Sequence, residues 1–344
     1  MTQIPVTVIT GFLGSGKTTL LNHLLNDPGM ADTAVIINEF GEISIDHLLV
    51  ESALENTMVL QSGCICCTIR GDLVDTLMDL VGKRDRGEIP AFSRVAIETT
   101  GLADPAPILQ TLATDALVAP VFRLKTVVTT IDSVNGLGQI AAFPEAAKQV
   151  ALADVLVLTK ADLASRPAME ALASRLREIN PGAAMLEVLN GAISPDDLFS
   201  RADAHSDDPA TIRNWLAAEA FEHPHDHDHA GHTHAHNDPN RHGSGIRAFC
   251  MTLDEAITLP ALETWLASIT SLRGADLLRM KGILNVAGEP GPVVLQGVQH
   301  LLHPLTRLAR WPDADRRSRI VFITQNIPEA ALRNSLLALV PKST

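Results

Sequence analysis

A β-rich run, Val6–Thr10, leads straight into Gly11-Phe12-Leu13-Gly14-Ser15-Gly16-Lys17-Thr18-Thr19, and a helical pattern follows over Lys17–Leu25. No other stretch constrains the fold so tightly. Strand, GxxxxGK[ST] and helix in this order let glycine-rich backbone turn its N–H groups inward around phosphate oxygens. The helix N-terminus adds its partial positive charge. Gly11, Gly14, Ser15, Gly16 and Thr19 then line a phosphate site. Lys17 bridges β- and γ-phosphates as the residue acting in catalysis, and the Thr18 hydroxyl ligates Mg²⁺.

The first 200 residues as a whole agree with that opening. Val6–Thr10, Ala34–Asn38, Val95–Thr99, Thr126–Asp132, Val155–Lys160 and Met185–Leu189 read as strands, several apolar nearly throughout, as strands buried on two faces should be. Lys17–Leu25, Leu73–Lys83, Pro107–Leu112 and Ala168–Ile179 read as helices between them. The expected fold is α/β, a doubly wound, mostly parallel sheet of the P-loop NTPase type, with a second, smaller α+β domain. Its boundaries are set at 1–202 for the nucleotide domain, 203–245 for a His-rich linker and 246–344 for the second domain. In the last, Arg247–Leu253 and Ile320–Thr324 read as strands, Leu259–Leu272 and Pro328–Val340 as helices, and Gly282–Val294 as a strand or hairpin. Leu262, Trp265, Leu266 and Ile269 form one apolar helix face, and Cys250 is assigned to the core.

Two acidic residues end strands near the phosphate loop, Glu98 and Asp132. Glu98 is preferred as the second metal-side group, because Gly101 follows at a spacing suited to a loop whose backbone approaches a γ-phosphate. The plainer alternative is a carboxylate that caps a strand end. Further on, Thr159-Lys160-Ala161-Asp162 is a TKxD variant of the guanine-reading NKxD pattern. Asp162 accepts from the N1–H and N2 amine that adenine lacks, Lys160 covers the base, and Thr159 stands where a carboxamide is usual. GTP is preferred over ATP.

Composition limits the partners. Lys and Arg total 27 against 40 Asp and Glu, a formal charge of −13, so most of the surface repels a polyanion. Neither nucleic acid nor a membrane is an expected partner. The N-terminus lacks a basic region followed by an apolar stretch, and cytoplasmic residence is expected. Three of the four cysteines, Cys64, Cys66 and Cys67, fall within four residues, too crowded for a disulfide framework. Thiolates at this density favour Zn²⁺, Cu⁺ or Co²⁺ over Mg²⁺ and leave a fourth position open. Structural thiols or a redox pair are the competing readings. Eight of the 13 histidines lie between 223 and 242. His223, His225, His227, His229, His232, His234 and His236, with Asp226 and Asp228 interleaved, form a multidentate chelator for Zn²⁺, Ni²⁺, Co²⁺ or Cu²⁺, or else a solvated spacer.

Taken together, GFLGSGKTT (11–19), INEFGEISID (37–46), SGCICCTIRGDL (62–73), ETTGLADPAPI (98–108), LTKAD (158–162), DLLRMKG (276–282) and LQGVQHL (295–301) resemble the CobW-type GTPase family and its YjiA-like metal-binding members. The resemblance implies a P-loop GTPase domain followed by a CobW C-terminal domain. It also implies a GTP-hydrolysing metallochaperone that binds Zn²⁺ or a similar ion at the CxCC thiols and delivers it to a client metalloprotein. It marks Glu39 and Glu42 as metal or nucleotide-sensing groups; Glu39 is taken as a fourth ligand, with pairing to a nearby Lys or Arg as the alternative. The implied cofactors are GTP/GDP, Mg²⁺ and Zn²⁺, with Co²⁺ or Ni²⁺ in its place, in a monomer or a metal- or nucleotide-dependent homodimer. Two other readings compete: a metal-buffering protein with regulatory nucleotide binding, and a Co²⁺ or Fe insertase for cobalamin synthesis or nitrile hydratase-type enzymes.

Overall fold

The computed structural model describes residues 3–37, 58–61, 69–200 and 245–338. The first part contains β1 (Ile4–Gly11), α1 (Lys17–Leu25), β2 (Thr33–Ile37), β3 (Met58–Gln61), α2 (Ile69–Asp85), β4 (Arg94–Glu98) and α3 (Ala106–Thr114). It continues with β5 (Phe122–Asp132), α4 (Gly136–Ala142), α5 (Pro144–Leu152), β6 (Val155–Thr159), α6 (Arg166–Ile179), β7 (Ala184–Glu187) and α7 (Pro195–Ser200). The seven strands make one sheet in the order β3-β2-β4-β1-β5-β6-β7, and every neighbouring pair is parallel.

Side-chain alternation explains the apolar strands. Val8, Val127 and Leu156 face one cluster, with Leu77 of α2, Leu109 of α3, Val150 of α5 and Leu172 of α6. Their neighbours Ile9, Val128 and Val157 face the other, with Leu20 and Leu24 of α1 and Leu198 of α7. Because both faces are covered, these strands are buried nearly throughout, and β5 alternates with charged residues only at its start, where Arg123 and Lys125 flank Leu124.

After residue 244 the chain forms a second sheet, from β8 (Ile246–Leu253), β9 (Leu277–Leu284), β10 (Val293–Val298), β11 (Leu301–Leu302), β12 (Thr306–Arg307) and β13 (Ser318–Gln325). The order is β11-β10-β9-β13-β8, antiparallel throughout, with β12 also pairing β10. Two helices, α8 (Leu259–Arg273) and α9 (Glu329–Leu337), cover one face. Leu262, Trp265, Leu266 and Ile269 of α8 pack there with Phe322, Met280 and Leu332.

The opposite face meets the nucleotide domain. Leu278, Val298, Leu301 and Ile323 join the same apolar cluster as α3, α5 and α6. Within this contact Asp154, between α5 and β6, pairs with Arg279 and, at 3.5 Å, with Lys281. Burial alone would push the Asp154 carboxyl up, but the two cations and the Val127 amide outweigh it and hold it below the usual carboxylate range. Burial has the upper hand at Lys281, whose ammonium is pushed down to about 8.

Several elements differ from the sequence reading. The four-residue strand Met58–Gln61 is absent from the sequence reading, although the equally short Ala184–Glu187 is included there as Met185–Leu189. Helices α4 and α5 follow one another directly, with Phe143 ending the first and preceding Pro144 of the second. Gly136 and Gly138 weaken the helical signal in α4, whereas Pro144 is tolerated because a first-turn residue has no intrahelical N–H bond to lose. Cys250 is not core. It lies half-buried on the edge strand β8, where Met251 and Leu253 rather than Cys250 face α8 and α9.

Candidate functional site

β1, β4, β5 and β6 all end at one edge of the parallel sheet, and the candidate residues gather there. β1 ends at Gly11 with φ +144°, where a Cβ would lie 2.2 Å from the Thr130 hydroxyl and 2.5 Å from its carbonyl oxygen. Only glycine fits. Gly14 and Gly16 also have positive φ, 72° and 89°, and turn the loop into α1, which no side chain caps. The loop is stitched from inside: the Ser15 and Thr130 hydroxyls are 2.6 Å apart, and buried Lys17 donates through Nζ to the carbonyls of Gly11 (2.8 Å) and Phe12 (3.3 Å). Thr18 is half-buried and Thr19 exposed at the start of α1.

Glu98 is buried at the end of β4, opposite Ile9. The following loop is tied to β1 and the phosphate loop. The Thr99 amide donates to Ile9 (2.9 Å), its hydroxyl lies 2.8 Å from that of Thr10, and Gly101 packs so closely on Leu13 that a Cβ would come within 2.8 Å of the Leu13 nitrogen. Asp132 is engaged differently. Its carboxylate accepts from the amides of Val134 (2.8 Å) and Asn135 (3.0 Å), from the Asn135 side chain (3.0 Å) and from Lys160 Nζ (2.7 Å). Burial pushes this carboxyl up, and those donors more than compensate, leaving it below the usual range. Asp132 therefore serves as the clamp for Lys160 and the 132–135 turn.

Thr159, read from the sequence as a weakened base-reading residue, is buried with its hydroxyl 2.7 Å from the Ser15 carbonyl and 3.1 Å from that of Ile131. It fastens the phosphate loop to β5 and β6. Its methyl group would lie 3.3 Å from a Cβ at Gly16, a tight approach that adds to that residue's positive φ. Lys160 takes a left-handed conformation, φ 55°, and spans from Asp132 to the Gly14 carbonyl at 2.7 Å. Asp162 follows in a single 3₁₀ turn and is exposed at the rim. The structure thus brings Gly11, Gly14, Ser15, Gly16, Lys17, Thr18, Glu98, Gly101, Thr159 and Lys160 to one place.

Cys64, Cys66, Cys67, Glu39, Glu42, His223, His225, His227, His229, His232, His234 and His236 lie outside the described residues, and among the described residues no three His, Cys, Asp or Glu form a metal cluster. Sequence reasoning missed Thr130, which closes the loop from β5, and Phe143, whose ring stacks on Phe12 at 4.7 Å. Neither has a local signal, since each partner lies more than 100 residues away in the chain. No described helix is long and apolar enough to cross a membrane.

A glycine loop closed on its own lysine, at the carboxyl edge of a parallel sheet and beside a buried strand-end carboxylate, defines a P-loop nucleotide-binding protein. The model of the CobW/HypB/UreG nucleotide-binding domain matches residues 5–187, and that of the cobalamin synthesis protein CobW C-terminal domain matches residues 246–340. The chain belongs to the CobW/HypB/UreG family of P-loop GTPases. It is 34% identical over 339 residues to the zinc chaperone YjiA of Escherichia coli (strain K12), covering 98% of this chain and 99% of that one. It is 29% identical to the zinc chaperone CobW of Pseudomonas aeruginosa, covering 98% of this chain and 91% of that one. The crystal structure of Zn(II)-bound YjiA GTPase from E. coli superposes with a TM-score of 0.71 at 30% identity, over 99% of this chain and all of that one.

Proposed function

We propose that this GTPase is a metallochaperone that couples GTP hydrolysis to the hand-over of Zn²⁺, held as cargo by Cys64, Cys66 and Cys67, to a client metalloprotein. The observation that carries this reading is topological. β3 runs parallel to β1 and ends at Gln61, three residues before Cys64, on the sheet edge that bears the phosphate loop. β3 lies three strands from β1, about 14 Å at the usual inter-strand spacing. Likewise β2 ends at Ile37, two residues before Glu39. A change at the nucleotide and a change at the metal therefore act on segments rooted in the same edge. The printed names of the relatives, zinc chaperones, point the same way.

In this reading the loop amides of residues 11–17 and the Lys17 ammonium hold the phosphates, while Lys160 and Asp162 meet the base. Hard oxygen donors suit Mg²⁺, and with Asp132 occupied by Lys160 the set that fits is the Thr18 hydroxyl and the Glu98 carboxylate. Bound there, Mg²⁺ would neutralise charge on the β- and γ-phosphate oxygens. Gly101 places backbone of the next loop against the phosphate loop, where a γ-phosphate is sensed. The histidines between 225 and 236 supply cargo to the thiols by ligand exchange. Cys66→Ala tests the assignment. It is expected to weaken Zn²⁺ binding by at least about tenfold, the scale set by residues that merely support metal ligands, and to abolish any response of GTP hydrolysis to Zn²⁺. Unaltered Zn²⁺ affinity and an unaltered response would overturn it.

A further inference from the structure

Helix α5 touches three parts of the molecule that have no other reason to share an element. At its start, Phe143 stacks on Phe12 of the phosphate loop. In its middle, Lys148 Nζ pairs with Asp104 at 2.6 Å, and Gln149 Nε2 donates to the carbonyls of Ala103 (3.0 Å) and Gly101 (3.4 Å). Both contacts hold the loop that follows Glu98. At its end, the Leu152 carbonyl accepts from Arg279 Nη1 of the second domain at 2.6 Å, and Asp154 pairs with the same guanidinium.

Gln149 is the least expected member. It is 1% exposed among Ala146, Ala147, Val150 and Ala151, and its Oε1 has no hydrogen-bond partner among the described residues. A buried amide left half-satisfied costs stability that an apolar side chain of the same volume would not. Packing alone does not call for glutamine here. Its one evident task is to fix the backbone of residues 101–103, and its own carbonyl is pinned to β5 by the Thr129 hydroxyl at 2.9 Å.

We infer that Gln149 is a positioning residue for GTP hydrolysis: it holds the Gly101–Ala103 loop in register with the phosphate loop, and through Arg279 at the end of the same helix the second domain governs how that loop meets the γ-phosphate. The inference rests on the assignment of this loop to the γ-phosphate made above. Helix α5 then acts as a strut. A client or metal event that shifts the second sheet pulls on Leu152 and Asp154, and the shift reaches the loop through Lys148 and Gln149.

The test uses the full-length protein with Mg²⁺ and measures kcat and KM for GTP beside equilibrium affinities for GDP and a non-hydrolysable GTP analogue. Gln149→Met keeps the volume and removes the donors. It is expected to lower kcat and analogue affinity by about tenfold, on the scale that small misplacements of a reacting group produce, with GDP affinity within twofold of wild type. Arg279→Lys keeps the charge beside Asp154 but loses the fork to Leu152, and the same selective pattern is expected. In the double variant the two effects should be less than multiplicative, because they act through one helix. Equal loss of GDP and analogue affinity, or no loss of either, would overturn the inference. If Gln149→Met does not fold, Lys148→Met cuts the exposed tie to Asp104 in the same loop, and the same criteria decide. Glu98→Gln, measured in parallel, separates the two levels. If it too spares kcat and analogue binding, the loop does not serve the γ-phosphate and both readings fall; if it alone impairs them, only the role of Gln149 is lost.

Discussion

Replacing Lys17 by methionine is expected to lower GTP turnover by about 10²–10³-fold, the cost typical of removing one preorganised charge that meets a transition state. Lys17 is 9% exposed, and its ammonium sits against the Gly11 and Phe12 carbonyls, inside the loop that would wrap the phosphates. When GTP enters, the ammonium exchanges carbonyl partners for phosphate oxygens without travelling far. Preorganisation of this kind needs little rearrangement at the moment of reaction. Methionine keeps most of the stem and its packing, so the loss falls on charge rather than on the fold. Phosphate release at saturating GTP measures the effect, and the GTP-dependent rise in Tm of the wild type should shrink in the variant. Wild-type turnover in Lys17→Met would mean that the phosphates bind elsewhere.

Asp154→Ala carries the largest expected cost in stability, about 3–5 kcal/mol, because removing one partner of a buried ion group leaves the others uncompensated. Here two cations would be stranded where the second sheet meets the nucleotide domain, Arg279, which is buried, and Lys281, which is partly buried. The Arg279 Nε already has no hydrogen-bond partner among the described residues, and the guanidinium would keep only the neutral Leu152 carbonyl. The Val127 amide would also lose its acceptor at 3.0 Å. Urea denaturation followed by tryptophan fluorescence, with Trp265 inside the second domain's core, reads the change. A destabilisation below about 1 kcal/mol would show that the group is effectively solvated. The triple variant Asp154→Leu, Arg279→Met, Lys281→Met is expected to recover most of the loss, since an apolar replacement of a whole ion group is often neutral or better.

Much of the nucleotide domain was legible because its strands are buried on two faces. Runs such as Val155–Thr159 advertise that burial directly, and the phosphate loop was recognised from a strand before it and a helix after it. Two elements were not legible: the four-residue β3 and α4, which carries two glycines. Both Glu98 and Asp132 end strands, and in the sequence only the spacing to Gly101 favours Glu98. The four donors around Asp132 separate their tasks. Thr159 teaches the same lesson. A threonine looked like a defect in a base-reading motif, and its hydroxyl is instead a fastener for Ser15. The DLLRMKG motif stood out in the sequence, yet nothing local says that its arginine reaches an aspartate 125 residues earlier. Contacts of that range arise from packing of whole domains, which no periodicity encodes.

The central claim is that the nucleotide state and the metal site act on each other. Its most direct test is Zn²⁺ affinity by chelator competition on a chain lacking residues 223–242, so that the histidines do not mask the thiols. The titration is run with Mg²⁺ and GDP, then with Mg²⁺ and a non-hydrolysable GTP analogue. A difference of at least tenfold, about 1.4 kcal/mol of coupling, is expected. Equal affinities in the two states would contradict the claim and leave GTP hydrolysis serving something other than metal hand-over.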